Sequence, residues 1–588
     1  MDIAPESGTA GTAGGAAAAE PARPLEPFES VAETFLAHLK SRGLPHFFIN
    51  AGTDFAPIVE AYARLAPAAG SVFPTPVVAG HENVCMGMAH GAFLMTGQAQ
   101  PVMFHVNVGS ANAVCGAMNA AHENVPLLIC AGRSPIYERG AHGSRNTRVA
   151  WAQEMYDQAG IMRESVKWEY ELRGGLQVDG VLDRALTIAN TEPRGPVYLT
   201  LPREVLAAPP AEAFVAAPRV AVPTGAWPDP AAVARLADVL ADAELPVISA
   251  MASGIDPDTV SLLAALCERH AIGYAEEQAR YLNLPGSHPL HLGYALPPLF
   301  KDVDAWLFLE CDVPWIPATG EPRADAFVAQ AGADPNFALY PLRTHRSDLA
   351  IQSGARALLI ALDQALEARR ARIDPARRAR IVTRATAARD AMRAAGAAEL
   401  AKGGAITPAF LSTVLGQVLH QDCVLFNEYW VQRNQITLDA PGSYFYLTAT
   451  GGLGWALPAA LGAKLVAPER TMVAAIGDGT YMFSNPAACH HASRKHGLPV
   501  LTVIANNARW NAVDTTSRLV YPEGHMTRRP WQEVSDLRPA PAFEDFCAAS
   551  GGVGVVVSER GELEGALRRA LEVVEKEGRQ VLVNVLCA

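Results

Sequence analysis

Two short polar stretches in the C-terminal third of the chain carry residue types that could hold a metal ion against a phosphate group. Residues 477–480 read GDGT after the apolar run TMVAAI, and Asn506-Asn507 follow the apolar run VLTVIA. Ligands of open parallel sheets bind where strands end, and glycines there let backbone N–H groups approach a diphosphate. Asp478 would repel that diphosphate, so the pattern favours an oxygen-ligated Mg²⁺ between the two.

The spacing of the two stretches is more informative than either one alone. An isolated GDG is more often a tight strand-to-helix turn. Here residues 480–505 separate GDG from the NN pair, and this spacing resembles the signature of the thiamine diphosphate-dependent decarboxylase and acetolactate synthase superfamily. The resemblance implies that Asp478, Asn507 and the backbone carbonyl of Arg509 bind Mg²⁺. The residues that it places along the diphosphate are Gly477, Gly479 and Thr480.

The stretch upstream resembles benzoylformate decarboxylase in its NE, PGSYF, GGLG and ALPAA elements. The resemblance puts Leu453 beneath the cofactor, where it forces the two rings into a bent shape, although an ordinary core leucine in a glycine-rich bend is the alternative. Gly451, Gly452 and Gly454 around it favour close approach of a ligand.

Three residues are candidate catalytic groups. Glu82, in PVVAGHENVC, is predicted to start a helix after a strand, and the resemblance implies that it hydrogen-bonds the cofactor pyrimidine ring. A glutamate at a helix start is otherwise a capping or dipole residue. His105, predicted to lie within a strand, resembles the substrate-facing histidine of benzoylformate decarboxylase. His288, in LPGSHPLHLGY, resembles that enzyme's second active-site histidine.

The sequence also departs from benzoylformate decarboxylase. Thr53 or Asp54 in NAGTDF stands where that enzyme has a serine, and the stretch NNARWNAVDTTSRL differs from its loop. This indicates a substrate pocket that is not shaped for an unsubstituted aryl group. A cluster with no counterpart comprises Arg145, Arg148, Trp151 and Gln153. Its arginines could hold a substrate carboxylate, or belong to a solvated helix start.

Composition and topology set the frame for these residues. The chain has 588 residues, a net charge of −12 and half apolar residues, which argues against a nucleic-acid partner and for a small-molecule enzyme. Nine scattered cysteines predict free thiols in a reducing compartment. No apolar run suits a membrane span and no signal peptide is recognised, so a soluble, cytoplasmic protein is expected.

Apolar strands alternate with helices along most of the chain, which predicts an α/β fold of three doubly wound parallel-sheet domains. The expected boundaries are a disordered tail over 1–29, a pyrimidine-binding domain over 30–200, a linker over 201–229, a central domain over 230–370, a connecting helix with solvated charges over 371–400, and a diphosphate-binding domain over 401–588.

The resemblance favours decarboxylation of a small-molecule 2-oxo acid through an enamine intermediate, with thiamine diphosphate and Mg²⁺ as cofactors. The alternatives are an acetolactate synthase-like carboligase and a carbon–carbon lyase or hydrolase of the same superfamily; a non-catalytic homologue would have no need of Glu82. The resemblance also implies a homodimer or homotetramer with the active site between subunits. FAD binding is undecided, because residues 230–370 contain no glycine-rich fingerprint that calls for it.

Overall fold

The computed structural model describes residues 27–66, 69–211, 213–218, 220–528 and 533–588. The tail expected over 1–29 lies outside the described residues as far as residue 26. The described chain forms three sheets in which every pair of neighbouring strands is parallel. This confirms the predicted fold class of three parallel-sheet α/β units.

The first sheet has the strand order β2-β1-β3-β4-β6-β5. Its strands are β1 His46–Asn50, β2 Thr75–Val78, β3 Gln100–Phe104, β4 Leu127–Arg133, β5 Glu169–Glu171 and β6 Val197–Pro202. The helices around it are α1 Val31–Ser41, α2 Ala56–Arg64, α3 Ala69–Val72, α4 Glu82–Thr96, α5 Val106–His122, α6 Val149–Ala152, α7 Val178–Asn190 and α8 Arg203–Ala207.

The central sheet has the order β11-β10-β9-β7-β8. Its strands are β7 Pro246–Ala250, β8 Gly273–Tyr274, β9 Ala305–Leu309, β10 Phe327–Gly332 and β11 Leu349–Gln352. The helices of this part are α9 Pro230–Asp242, α10 Pro257–His270, α11 Ala355–Glu367 and α12 Arg377–Ala401.

The third sheet, ordered β13-β12-β14-β15-β17-β16, repeats the topology of the first. Its strands are β12 Cys423–Glu428, β13 Tyr444–Tyr446, β14 Thr471–Gly477, β15 Leu501–Asn506, β16 Val553–Val557 and β17 Val581–Leu586. Its helices are α13 Pro408–Val418, α14 Ala456–Val466, α15 Asp478–Phe483, α16 Pro486–His496, α17 Asn511–Val520, α18 His525–Arg528, α19 Phe543–Ala549 and α20 Arg560–Lys576.

Side chains at the N-terminus of α1 form a variant of the capping box. The Ser30 hydroxyl accepts the N–H of Glu33 at 3.3 Å. The Glu33 carboxylate, however, accepts the N–H of Glu29 at 2.8 Å instead of that of Ser30. The reciprocal pair therefore satisfies a donor one residue further from the helix.

Helices α4 and α14 join the first and third units through glycines. A Cβ atom on Gly91 would lie 1.9 Å from the carbonyl oxygen of Ala459, and one on Gly462 would lie 1.8 Å from that of Met88. Both sites can only be glycine at this separation, since real Cβ contacts are never so short. The two backbones therefore touch directly, and this fixes how α4 presents its first residue, Glu82.

The prediction that the charges of the long helix α12 face solvent is wrong for one residue. Arg377 is fully buried. Its guanidinium donates to the carbonyl oxygens of Leu240 at 2.8 Å, Ala243 at 2.9 Å and His270 at 2.6 Å, which are at the C-terminal ends of α9 and α10. Burial lowers the pKa of Arg377 to about 10. The free carbonyls of two helix ends satisfy this cation in place of water.

All nine cysteines are free thiols, seven buried and two half-buried, as expected from their spacing. Among the described helices, none is both long enough and apolar enough to cross a bilayer.

Gly91→Ala is expected to lower the unfolding midpoint clearly, because the new methyl group meets the Ala459 carbonyl; overpacking of this kind costs about 1–3 kcal/mol or more. The matched control is Gly180→Ala in α7, where a Cβ would meet nothing within 4 Å and alanine favours the helix. Thermal unfolding monitored by circular dichroism checks both, and equal midpoints for the two variants would contradict the close approach of α4 and α14.

Candidate active site

Glu82 is the first residue of α4, as predicted, and is 7% exposed. The Asn112 side-chain amide donates to its Oε2 at 3.0 Å. A Cβ on Gly109 would lie 3.1 Å from its Oε1, so α5 passes close beneath the carboxylate. Glu82 is therefore held against α5 at the carboxyl end of the first sheet.

His105 lies after β3, not within the strand as predicted, and precedes the first residue of α5. The strand ends before His105 because the Asp54 carboxylate binds both the His105 ring and the backbone N–H of Val106. Its Oδ1 lies 2.5 Å from Nδ1 of His105, and its Oδ2 accepts the N–H of Val106 at 3.2 Å. Val106 has φ +33°, an unusual conformation for a β-branched residue. The Asp54 contacts hold this strained turn in place.

Two glycines make room for the Asp54–His105 pair. A Cβ on Gly52 would lie 2.2 Å from the His105 ring, and one on Gly132 would lie 1.7 Å from Oδ2 of Asp54. The hydrogen bond to Asp54 raises the pKa of His105 above its usual value; partial burial opposes this, and the negative charges of Asp54 and Glu82 add to it. The imidazolium form of His105 is therefore more stable than that of a free histidine.

Gln153 approaches the other nitrogen of His105. Its Nε2 lies 3.1 Å from Nε2 of the ring. In the same segment, Arg145 pairs with Glu154 at 2.7 Å and donates to the Pro135 carbonyl at 2.8 Å. A substrate carboxylate would have to compete with Glu154 for Arg145. Of the predicted cluster, Gln153 is the residue that reaches the histidine.

The two polar stretches of the third unit meet at neighbouring strand ends, since β14 and β15 pair with Gly477 opposite Ala505. Asp478 Oδ1 accepts the N–H of Gly479 at 2.8 Å, whereas its buried Oδ2 has no partner. Burial raises the pKa of Asp478, and the hydrogen bond from the Gly479 N–H opposes the rise.

The two adjacent asparagines have different surroundings. Asn506 is buried and donates to Asn584 of β17 at 3.1 Å. Asn507 lies one residue beyond the strand, and its Oδ1 accepts the N–H of Arg509 at 3.2 Å. Ala508, which lies between Asn507 and Arg509, adopts φ +53°. Asn506 therefore belongs to the sheet, and Asn507 to the turn that faces Asp478.

An orphaned, buried carboxylate oxygen fits a cation at this turn. Within the described ranges, no group of three or more His, Cys, Asp or Glu side chains is arranged to hold a metal ion. A cation beside Asp478 would then have one carboxylate and otherwise amide, carbonyl or ligand oxygens. This donor set matches Mg²⁺, which binds through one or two carboxylates together with substrate phosphates.

The two glycines that flank Asp478 differ in how much free space surrounds the backbone. A Cβ on Gly477 would come no closer than 3.8 Å to Thr480, whereas one on Gly479 would lie 2.2 Å from the Trp510 ring. Thr480 itself is buried. The backbone at Gly477 is thus open to a ligand, and that at Gly479 is covered by Trp510.

The loop that contains Gly451, Gly452 and Leu453 is held by side chains of the first and third units. The Asn119 Oδ1 of α5 accepts the Thr448 hydroxyl at 2.8 Å and the N–H of Gly452 at 3.2 Å, and its Nδ2 donates to the Gly452 carbonyl at 2.9 Å. Gly451 adopts φ +61°. Leu453 is half-buried at the end of this loop.

Glu428, at the end of β12, fixes the other side of the loop. It is fully buried, and it accepts the N–H groups of Gly454 at 2.9 Å and Ala456 at 2.8 Å. Burial raises its pKa to about 7. The start of α14 is therefore tied to the carboxyl end of β12 in the third sheet.

His288 lies in the central part of the chain, apart from the other predicted residues. Its Nε2 is 3.7 Å from Glu268 of α10, its Nδ1 accepts the N–H of Leu290, and its carbonyl accepts from Arg389 of α12. Burial lowers its pKa. In the described residues, no hydrogen bond or ion pair links it to Glu82, His105 or Asp478.

The structure thus brings the predicted residues together in two groups. One contains Glu82 and His105, and the other contains Asp478, Asn507 and the backbone of Arg509. Over the described part of the chain, no hydrogen bond or ion pair joins one group to the other. The sequence had not singled out Asn119 or Glu428, and had considered Asp54 only as a replacement for serine. The signal for Asp54 and Glu428 was an acid just after, or at the end of, a predicted strand.

Asn119→Ala is expected to speed backbone hydrogen exchange in residues 448–454 by about tenfold or more, because each lost hydrogen bond contributes about 1 kcal/mol. Asn190→Ala, which removes a single bond to the Leu186 carbonyl at the end of α7, is the control. Exchange of this loop is measured by mass spectrometry. Unchanged exchange in the Asn119 variant would mean that α5 does not hold the loop.

Comparison with known proteins identifies the family. Residues 29–161 match the model of the thiamine pyrophosphate enzyme N-terminal TPP binding domain, and residues 427–585 match that of the C-terminal TPP binding domain. The chain is 27% identical to benzoylformate decarboxylase of Pseudomonas aeruginosa over 93% of this chain and 97% of that protein. It is also 27% identical to sulfoacetaldehyde acetyltransferase of Rhodobacter capsulatus over 94% and 93%.

A solved structure has the same fold. The thiamine diphosphate-dependent 4-hydroxybenzoylformate decarboxylase of Rhodococcus jostii RHA1 matches with a TM-score of 0.74 and 21% identity, covering 95% of this chain and 99% of that one. Both cofactor-binding domains, the full-length relatives and the three-sheet fold agree. The chain belongs to the thiamine pyrophosphate-dependent enzymes.

Proposed function

We propose that this enzyme decarboxylates a small 2-oxo acid and releases the corresponding aldehyde. The observation that carries the proposal is the Asp54–His105 pair, with its 2.5 Å contact. Decarboxylation leaves a carbon that must take up a proton, and a histidine whose protonated form is stabilised by a neighbouring carboxylate is a suitable donor. Glu82 lies close enough to act on His105 electrostatically, so the donor and the proposed cofactor-activating acid share one site.

Each group of residues has a proposed task toward the cofactor. When bound, thiamine diphosphate supplies the electron sink that allows the bond to CO₂ to break. Glu82, oriented by Asn112, would hydrogen-bond the pyrimidine ring. Asp478, Asn507 and the Arg509 carbonyl would hold Mg²⁺. The residues proposed to line the diphosphate and the rings are Gly477, Thr480, Gly451, Gly452 and Leu453, whereas Gly479 is covered by Trp510.

Two copies of the chain would complete the site. Among the residues that the structure describes, no hydrogen bond or ion pair joins the two groups, and an apolar side chain next to each is open to solvent. Val108, three residues after His105, is 46% exposed, and Phe483, five residues after Asp478, is 52% exposed. A second copy of the chain that covered these side chains would remove them from water. A homodimer or homotetramer that covers them could also bring His288 of one copy toward the site of another, which a catalytic role for this histidine requires.

A transferase is the second candidate, favoured by the similarity to sulfoacetaldehyde acetyltransferase. In such an enzyme, the fragment that remains after CO₂ loss, of two carbons or more, would be transferred to an acceptor molecule and would not be protonated. The acetolactate synthase-like alternative belongs to the same class. The two candidates differ in product: an aldehyde results from proton transfer, whereas a new carbon–carbon or acyl bond results from group transfer.

CO₂ release from a panel of aliphatic, branched and aryl 2-oxo acids is expected to require thiamine diphosphate and Mg²⁺. Glu82→Gln should reduce it by about two to four orders of magnitude, the usual contribution of an acid–base group. Glu60→Gln, an exposed position on α2, is the matched control and should retain full activity. Release that is absent for every acid, or undiminished in the Glu82 variant, would contradict the proposed reaction.

Asp478→Asn separates the metal role from a structural one. Because Oδ2 of Asp478 is buried without a partner and burial raises its pKa, removing the charge should leave the cofactor-free protein at least as stable. The variant should lose the rise in unfolding midpoint that Mg²⁺ and thiamine diphosphate give the wild type through binding. Asp390→Asn, on the exposed face of α12, is the control. An unchanged Mg²⁺ effect in the Asp478 variant would exclude it as a ligand.

A further inference from the structure

We propose that Asp54 and Gln153 are positioning residues that let His105 both donate and regain a proton at Nε2: Asp54 fixes the hydrogen on Nδ1, and Gln153 follows the proton on Nε2 by turning its amide. This inference rests on the proposed function for the identity of the proton acceptor, but not for the arrangement of the three side chains.

Asp54 determines which nitrogen of His105 reacts. An ionised carboxylate only accepts hydrogen bonds, so the contact between Oδ1 and Nδ1 keeps a hydrogen on Nδ1 in both charge states of the ring. The carboxylate cannot turn away, because Oδ2 is held by the N–H of Val106 and Gly132 leaves no space for anything larger than hydrogen beside it. Asp54 is 3% exposed, so water does not replace the histidine. Nε2 is therefore the ring nitrogen that gives up and takes back a proton.

Gln153 suits both states of that nitrogen. With its amide nitrogen 3.1 Å from Nε2, it donates a hydrogen bond to a neutral ring. A half-turn of the amide places its oxygen there, where it accepts a hydrogen bond from a protonated ring, since the two ends of the amide are nearly the same size. For the Gln153 side chain, no other hydrogen bond is found to a described residue, so the half-turn breaks none. A carboxylate or an alkyl group at this position could serve only one state or neither.

The proton balance of the step is complete. The Nε2–H bond of the imidazolium breaks and a C–H bond forms at the carbon that has lost CO₂, which leaves the neutral ring to accept from Gln153. Solvent then returns one proton to Nε2, through the 19% of the His105 side chain that remains exposed. One proton is consumed per 2-oxo acid converted to aldehyde and CO₂, with no oxidant or reductant.

Two carboxylates act electrostatically on the His105 ring. Asp54 lies on the loop before α2 and Glu82 at the start of α4, and both favour the protonated ring. On the segment that carries Gln153, Glu154 is neutralised by Arg133 and Arg145. Because the pKa of His105 is raised, its acid form persists to higher pH than that of a free histidine, and donation should fail as pH rises through the folded value.

The test uses the full-length protein and reads His105 directly. The rate at which diethyl pyrocarbonate modifies His105, followed by peptide mass spectrometry against pH, gives the pKa of the ring without turnover. Asp54→Asn should lower that pKa by about one unit or more, and Gln153→Glu should raise it by about one unit. Gln153→Met, which neither donates nor accepts strongly, should leave it within about half a unit. Gln98→Glu, the same change at an exposed site of the first unit, should not move it.

Turnover then separates positioning from mere structure. Gln153→Met should lower kcat at least several-fold with KM nearly unchanged, and the falling limb of the kcat profile should shift to lower pH in Asp54→Asn. An unshifted His105 pKa in both Asp54→Asn and Gln153→Glu, or a full kcat in Gln153→Met, would overturn the inference. If the pKa shifts occur but no 2-oxo acid is decarboxylated by any variant or by wild type, the proposed function fails while the role of Asp54 stands.

Discussion

A buried guanidinium joins the three units of the chain. Arg280 of the central part lies 3.1 Å from Glu123, which follows α5, and 3.0 Å from Asp312, which follows β9. Glu123 also accepts the N–H of Ala449 from the third unit at 2.6 Å. Burial raises the pKa of Glu123 and Arg280 opposes that rise. Removing Arg280 would leave two carboxylates together out of water, which is far more costly than the pair itself is stabilising.

The site depends on this junction because one helix carries most of its supports. Near its start, α5 contributes Gly109 and Asn112, which lie beneath Glu82. Near its end, Asn119 binds the glycine-rich loop, and Glu123, the residue after the helix, pairs with Arg280. The glycine contacts between α4 and α14 fix the position of α4, and hence of Glu82, against the third unit. A shift of α5 along its axis would therefore disturb the acid, the loop and the domain junction together. A close-packed interior transmits such shifts because it has little free volume.

Sequence patterns predicted what depends on local order. Apolar strands alternating with helices indicated the three parallel sheets, and Glu82 was correctly expected at a helix start. The meeting of Asp478 with the Asn507 turn also followed, because strand ends in a parallel sheet share one edge. The Asp54–His105 pair did not follow, although β1 and β3 are neighbours in the sheet. Its two residues are 51 positions apart, and the strained turn at Val106 that ends β3 leaves no mark in composition. Arg377 was expected in solvent because helical periodicity alone cannot reveal that two other helices end against it.

The central claim is that a carbon which has lost CO₂ receives its proton from this protein. The most direct measurement uses a 2-oxo acid with an isotopically labelled carboxyl carbon, turned over in heavy water with thiamine diphosphate and Mg²⁺, with products identified by NMR. The account predicts one equivalent of labelled CO₂ and an aldehyde that carries a single deuterium on its carbonyl carbon. Labelled CO₂ accompanied only by acyloin or acyl-transfer products, or an aldehyde without deuterium, would contradict it.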